Sequence, residues 1–197
     1  MTSVRRLSLA SRTTGKSCHD STLEATKYWS SYFNLSGAPT IDGTEVTLST
    51  NQHLPVDETD IPIGHIGSYP GIEPDTPFTL GKSEPNVDHC FVVDSDAPKI
   101  PLDTRRGAMK KLISMFHPST QLHLEIFSTE PAFQFYTGQF VDVAAAEGSP
   151  ARPPRAGICV EPQRYINAIN VPEWRNMVVL KQGEIWGARN VYKAWRA

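Results

Sequence analysis

The chain has little of four things, and each shortage narrows what it can be. No apolar run among its 197 residues approaches the roughly 20 residues that a bilayer-spanning helix needs, so no transmembrane helix is expected. Neither sign of charge dominates. Nineteen Lys and Arg stand against 21 Asp and Glu, a formal net charge of -2, which argues against a nucleic-acid or membrane partner recruited by bulk electrostatics. Cysteine is scarce: Cys18, Cys90 and Cys159 are odd in number and show no metal-ligand spacing. That fits reduced thiols in a cytoplasmic protein better than a disulfide scaffold or a metal site. Sustained helical periodicity is also missing, while Pro numbers 16, and together these favour an all-β protein. The length suits one domain, or a large fragment of one, and is enough to bury a core.

What is present is a series of short apolar or alternating runs punctuated by turn residues. Residues 1–27 are the exception. They are rich in Ser, Thr and Arg, with only Leu7, Leu9 and Leu23 as apolar anchors. This segment reads as a disordered tail, with a transit peptide as the alternative because no acid precedes Asp20. The domain is expected over residues 28–197. Residues 28–35 read as a strand, and Asp42-Gly43 is a hairpin signal. Residues 45–49 alternate, placing Val46 and Leu48 on one face. Residues 54–66, with Pro55, Pro62 and Gly64, read as an ordered loop whose Asp57, Glu58 and Asp60 are solvated and lack calcium-loop spacing. Phe91, Val92 and Val93 form a strand, with Asp88 just ahead of it. Residues 108–117 and 121–129 make a hairpin about Pro118-Ser119-Thr120, and residues 133–136 continue into the next strand. Residues 142–154 are a loop. Residues 177–180 read as a buried strand, Gln182-Gly183 as a hairpin turn, and residues 187–195 as the last strand.

The candidate chemistry centres on Glu161. Ile158 to Val160 is a short run with β-branched residues and reads as a buried strand. Pro162 is expected to stop it, leaving Glu161 at a rigid strand terminus beside apolar neighbours. A carboxylate so placed is suited to general-base work. The competing reading is a structural ion pair with Arg164 or Arg155.

A second stretch bears on that choice. Ser128-Thr129-Glu130-Pro131-Ala132-Phe133-Gln134-Phe135-Tyr136-Thr137-Gly138, taken with Gly157-Ile158-Cys159-Val160-Glu161, resembles the C-terminal half of the aldose 1-epimerase (galactose mutarotase) family. Tyr32-Phe33-Asn34-Leu35-Ser36-Gly37 and Val87-Asp88-His89-Cys90-Phe91-Val92 resemble two further family segments, in the family's order. The resemblance runs from about Tyr32 to the C-terminus.

The resemblance implies a galactose-mutarotase-like β-sandwich. The fold is expected to be incomplete, because the family's N-terminal half has no counterpart here. It also implies that α and β anomers of an aldose interconvert by acid/base ring opening, with no cofactor and no metal. Glu161 would then be the base. Asp88 and Gln134 would hold sugar hydroxyls, since a carboxylate accepts two and an amide both donates and accepts. Tyr136 either lines the same cleft or belongs to the core. The implied partner is a monosaccharide or a related hemiacetal, and exposed sheet edges imply self-association. One departure matters. The family's acid is a His, and Ser30 stands at its position. A serine hydroxyl does not replace an imidazolium near neutral pH, and losing a positioned acid costs on the order of a hundredfold in rate. The alternative function is therefore a catalytically impaired carbohydrate-binding or accessory protein of a biosynthetic pathway.

Overall fold

A computed structural model describes residues 23–24 and 31–196. Ser30 and, apart from Leu23–Glu24, the expected tail lie outside the described residues. The described chain is almost entirely β, and its strands are built where the sequence alternates. Val46 and Leu48 of β3 (Glu45–Leu48) are fully buried, and Ile113, Met115 and His117 of its partner β8 (Lys110–His117) are buried as well. β8 pairs in turn with β9 (Leu122–Ser128), closing the expected hairpin with Phe116 opposite His123. A bulge between Lys111 and Ile113 lets consecutive Leu112 and Ile113 both enter the core, which is what one extra residue in a ladder does. With β6 (Phe78–Thr79) and β13 (Asn190–Arg196) these strands form a five-stranded antiparallel sheet, in the order β13-β9-β8-β3-β6.

The second sheet has six antiparallel strands in the order β2-β11-β10-β7-β4-β5. They are β2 (Tyr32–Phe33), β4 (Gln52–His53), β5 (Gly67–Ser68), β7 (Asp88–Val92), β10 (Ala132–Tyr136) and β11 (Ile158–Gln163). Its inner face contributes Phe91, Phe133, Phe135, Ile158 and Val160 to the main core, against Leu48, Ile113, Met115 and Ile126 of the other sheet. Phe91 stacks on Phe133 with ring centroids 5.8 Å apart. Fully burying each such ring contributes about 1.5–3 kcal/mol.

Because side chains alternate along a strand, the other face of the six-stranded sheet carries Cys90, Val92 and Ala132. A second cluster covers them, built from Tyr165, Ala168, Trp174, Met177 and Val178. Those residues come from two 3-10 turns, Ala168–Asn170 and Pro172–Met177, and the chain beside them. This cover reaches only one end of the outer face.

Several local expectations change. Pro162 does not end its strand: β11 runs on to Gln163, held by pairing with β10 from Tyr136↔Cys159 to Ala132↔Gln163. Glu161 is therefore mid-strand rather than terminal. Asp88 is the first residue of β7, not a loop residue ahead of it. Asp42-Gly43 does turn, with Gly43 at φ +81°, but β2 and β3 on either side lie in different sheets. The expected strand over 177–180 is split. Met177 ends a 3-10 turn, and only β12 (Val179–Leu180) is extended. β12 pairs with β1 (Leu23–Glu24), not with β13, so Gln182-Gly183 closes no hairpin.

Candidate active site

The uncovered end of the outer face carries the residues of interest, and the strand register alone brings them together. In one row across the sheet, Asp88 of β7 faces Tyr136 of β10. Tyr136 faces Cys159 of β11, and Cys159 faces Tyr32 of β2. In the next row Cys90 faces Gln134, and Gln134 faces Glu161. Asp88, Gln134, Tyr136 and Glu161 thus share one face, and period two along each strand makes this so.

Neighbouring contacts fix the strand ends. The Val87 N–H donates to Thr137 Oγ1 at 3.0 Å, and the Thr137 N–H returns a bond to the Val87 carbonyl at 2.9 Å. These bonds tie the end of β10 to the start of β7, one residue from Asp88. Gly138 follows at φ +75°, and a Cβ there would sit 2.4 Å from the Gly157 carbonyl oxygen. Only glycine allows the backbones before β11 and after β10 to approach so closely.

Within the face, Gln134 Nε2 donates to Asp88 Oδ1 at 2.6 Å. The other amide atom, Gln134 Oε1, is buried and has no hydrogen-bond partner. A buried acceptor left open beside a hollow is suited to a ligand hydroxyl. That hollow, of about 310 Å³, is lined by Asp88, Gln134, Asn86, His89 and Gln139 among others. A larger one of about 740 Å³ lies toward β2, lined by Tyr32, Tyr136, Val141 and Arg152 among others. Phe140 lines both hollows, and its side chain is among the most exposed apolar ones, at 80%. Its backbone N–H donates to the Tyr136 hydroxyl at 2.8 Å. Hollows of this size suit small polar ligands.

Burial pushes the Asp88 carboxyl above the usual carboxylate range, and the Gln134 donor partly opposes that shift. The Cys159 thiol is pushed up to about 12, first by burial and then by the charge of Glu161. Cys159 Sγ lies 3.5 Å from Glu161 Oε1. Both arginines offered as ion-pair partners for Glu161 are committed elsewhere. Arg164 Nη1 lies 2.8 Å from Glu130 Oε2. Arg155 donates to the carbonyls of Pro85 and Gly81 and to Asn86 Oδ1. Among the described residues no group of three or more His, Cys, Asp and Glu could hold a metal ion, and no helix is long and apolar enough to cross a membrane.

The structure therefore brings Asp88, Gln134, Tyr136 and Glu161 onto one surface. Tyr136 is half-buried and lines a hollow rather than the core. Sequence reading gave no role to Tyr32, Cys159 or Phe140. The signal for Cys159 was its i, i+2 spacing from Glu161 on a strand. For Phe140, a bare aromatic in a loop carries no such signal.

A β-sandwich of this kind is found among known proteins. The family model for aldose 1-epimerase matches residues 7–193, so the chain belongs to the aldose 1-epimerase family. The chain is 39% identical over 170 residues to the bifunctional protein gal10 of Schizosaccharomyces pombe, covering 84% of this chain and 22% of that protein. It is 33% identical over 166 residues to the galactose mutarotase of Homo sapiens, covering 78% of this chain and 45% of that protein. Among solved structures, the GalM/aldose epimerase homologue from C. elegans superposes with a TM-score of 0.74 at 17% identity, over 90% of this chain and 53% of that one. The fold is accordingly the galactose-mutarotase-like sandwich. The chain spans less than half the length of either curated relative.

Proposed function

We propose that the protein interconverts the α and β anomers of an aldose by acid/base ring opening, with Glu161 as the base. Glu161 takes the proton of the C1 hydroxyl, and the C1–O5 bond opens as the ring oxygen takes a proton from solvent water in place of the family's His. After rotation about C1–C2 the ring closes on the other face, as Glu161 returns its proton and the O5 hydroxyl gives its own back to water. Asp88 and Gln134 hold sugar hydroxyls, and Tyr136 with Phe140 offers aromatic surface at the rim. The observation that carries this reading is the placement of the Asp88–Gln134 hydrogen bond, with its open amide oxygen, on the same face as Glu161. The ligand is a monosaccharide or a related hemiacetal in a cytoplasmic setting.

Polarimetry on fresh α-glucose and α-galactose tests it. Optical rotation should decay faster than in buffer, Glu161→Gln should bring the rate to the buffer value, and Ser30→His should raise it. A second reading is favoured by Ser30, which stands where the family carries its acid: a carbohydrate-binding protein that does not turn sugars over. Calorimetric binding of a monosaccharide, with wild type and Glu161→Gln both at the buffer rate, would establish that reading instead. If no monosaccharide binds at all, both are wrong.

A further inference from the structure

We infer that Cys159 is a positioning residue for Glu161: its thiol donates to the carboxylate and fixes the direction in which that carboxylate faces the sugar. The inference rests on the reading of Glu161 as the base. Cys159 and Glu161 are two apart on β11 and point to the same face, with Sγ 3.5 Å from Oε1. A sulfur donor reaches an acceptor at that separation, though it is a weak donor.

The sulfur also accepts a hydrogen bond from the Ser31 backbone, which leaves the thiol's own proton for Glu161. Cys159 is 2% exposed, with Tyr32 and Tyr136 as its register neighbours on the two flanking strands. Their rings meet edge to face at 6.4 Å, so Cys159 stands in the sheet between two aromatic residues that touch each other. Burial and the adjacent negative charge keep it protonated through the physiological range, which removes it as a nucleophile and leaves a proton to donate. Cys90 offers the contrast. It is equally buried but lies in the second cluster, where its sulfur accepts from Gln163 Nε2 at 3.7 Å and meets no carboxylate. Simple packing would ask for any side chain of cysteine's volume, whereas the contact with Oε1 asks for a donor.

Three variants test this. Cys159→Ala should lower kcat about three- to tenfold, the scale of one ordinary hydrogen bond. KM should stay near the wild-type value, because the buried residue presents almost no surface to a ligand. Cys159→Ser, which keeps a donor, should restore most of the rate. Infrared difference spectra between wild type and Cys159→Ala isolate the S–H stretch of this one thiol. In Glu161→Gln that band should move to higher wavenumber, as a bond to a charged acceptor becomes one to a neutral amide. If Glu161→Gln abolishes turnover while Cys159→Ala turns over like wild type, the thiol's role is refuted and the base stands. If Glu161→Gln leaves turnover untouched, the base reading fails. In either case, or if no aldose is turned over, an S–H band indifferent to Glu161→Gln overturns the contact itself.

Discussion

Replacing Arg164 by Met should destabilise the protein by an amount that grows with pH. Arg164 and Glu130 are 3% and 1% exposed, and Nη1 sits 2.8 Å from Oε2. Arg164 also donates from Nη2 to the Leu102 carbonyl at 2.7 Å and lies under the Trp186 ring. The pair straddles the end of the β10–β11 ladder, just beyond Ala132↔Gln163, and so braces the two strands that carry Gln134 and Glu161. Removing one partner of a buried pair costs about 3–5 kcal/mol. The sign of the pH effect follows from Glu130. Burial raises its carboxyl from 4.5 to about 7 in the folded state, although Arg164 pulls it down. Between those values the folded protein holds a proton that the unfolded chain has released. Wild-type stability therefore falls as pH rises through that window and levels off above it. Without Arg164 the folded-state value climbs further, so the decline continues past neutrality at about 1.4 kcal/mol per pH unit. Urea unfolding followed by tryptophan fluorescence at about pH 5, 7 and 9 measures the gap. The gap should be smallest at the acid end and widest at the alkaline end. A constant gap across that range, or one below about 1 kcal/mol at the alkaline end, would refute the reasoning. Replacing both residues by apolar ones should recover much of the loss, since no buried charge is then left alone.

Other substitutions probe the site and its frame. Gly138→Ala should destabilise by at least about 1 kcal/mol, because the position has φ +75° and the new Cβ would meet the Gly157 carbonyl at 2.4 Å; a thermal melt unchanged from wild type would refute this. Phe140→Ala should leave the melting temperature alone, since the ring is 80% exposed, yet weaken monosaccharide binding severalfold by calorimetry, about the worth of one aromatic contact. Sugar affinity in the wild type should fall on acidification earlier than for an ordinary aspartate, because burial raises the Asp88 carboxyl and the neutral form accepts fewer hydroxyls. Asp88→Asn should bind more weakly at neutral pH and lose that acid-side dependence.

Much of the frame was legible because strands write their burial as alternation. Val46 and Leu48 could be assigned to one face from spacing alone, and the β8–β9 turn followed from Pro118-Ser119-Thr120. Other features were not legible, because propensity is local and pairing is not. Pro162 looked like a terminator, yet β11 continues through it because β10 supplies partners as far as Gln163. Asp42-Gly43 carries a hairpin's turn chemistry, but its flanking strands go to opposite sheets, a choice made by what each strand's apolar face packs against. Met177 looked like part of a strand because it is apolar and buried. Its burial comes from a 3-10 turn laid over Cys90 and Val92, and a short apolar run does not distinguish the two. The two arginines beside Glu161 in sequence could be assigned partners only once Glu130 and the Gly81 to Asn86 loop were in place.

The sequence by itself determined the class. Its alternating runs and turn residues favour an all-β chain, because burial period and turn chemistry are written residue by residue, and its four ordered motifs carry the resemblance to the aldose 1-epimerase family. Only the tertiary structure decided the company Glu161 keeps. Side chains on three antiparallel strands become neighbours through register, and register is set by which faces bury and which strands pair. That is why Asp88, Gln134, Cys159 and Glu161 share one face of the sheet although up to 73 positions of chain separate them.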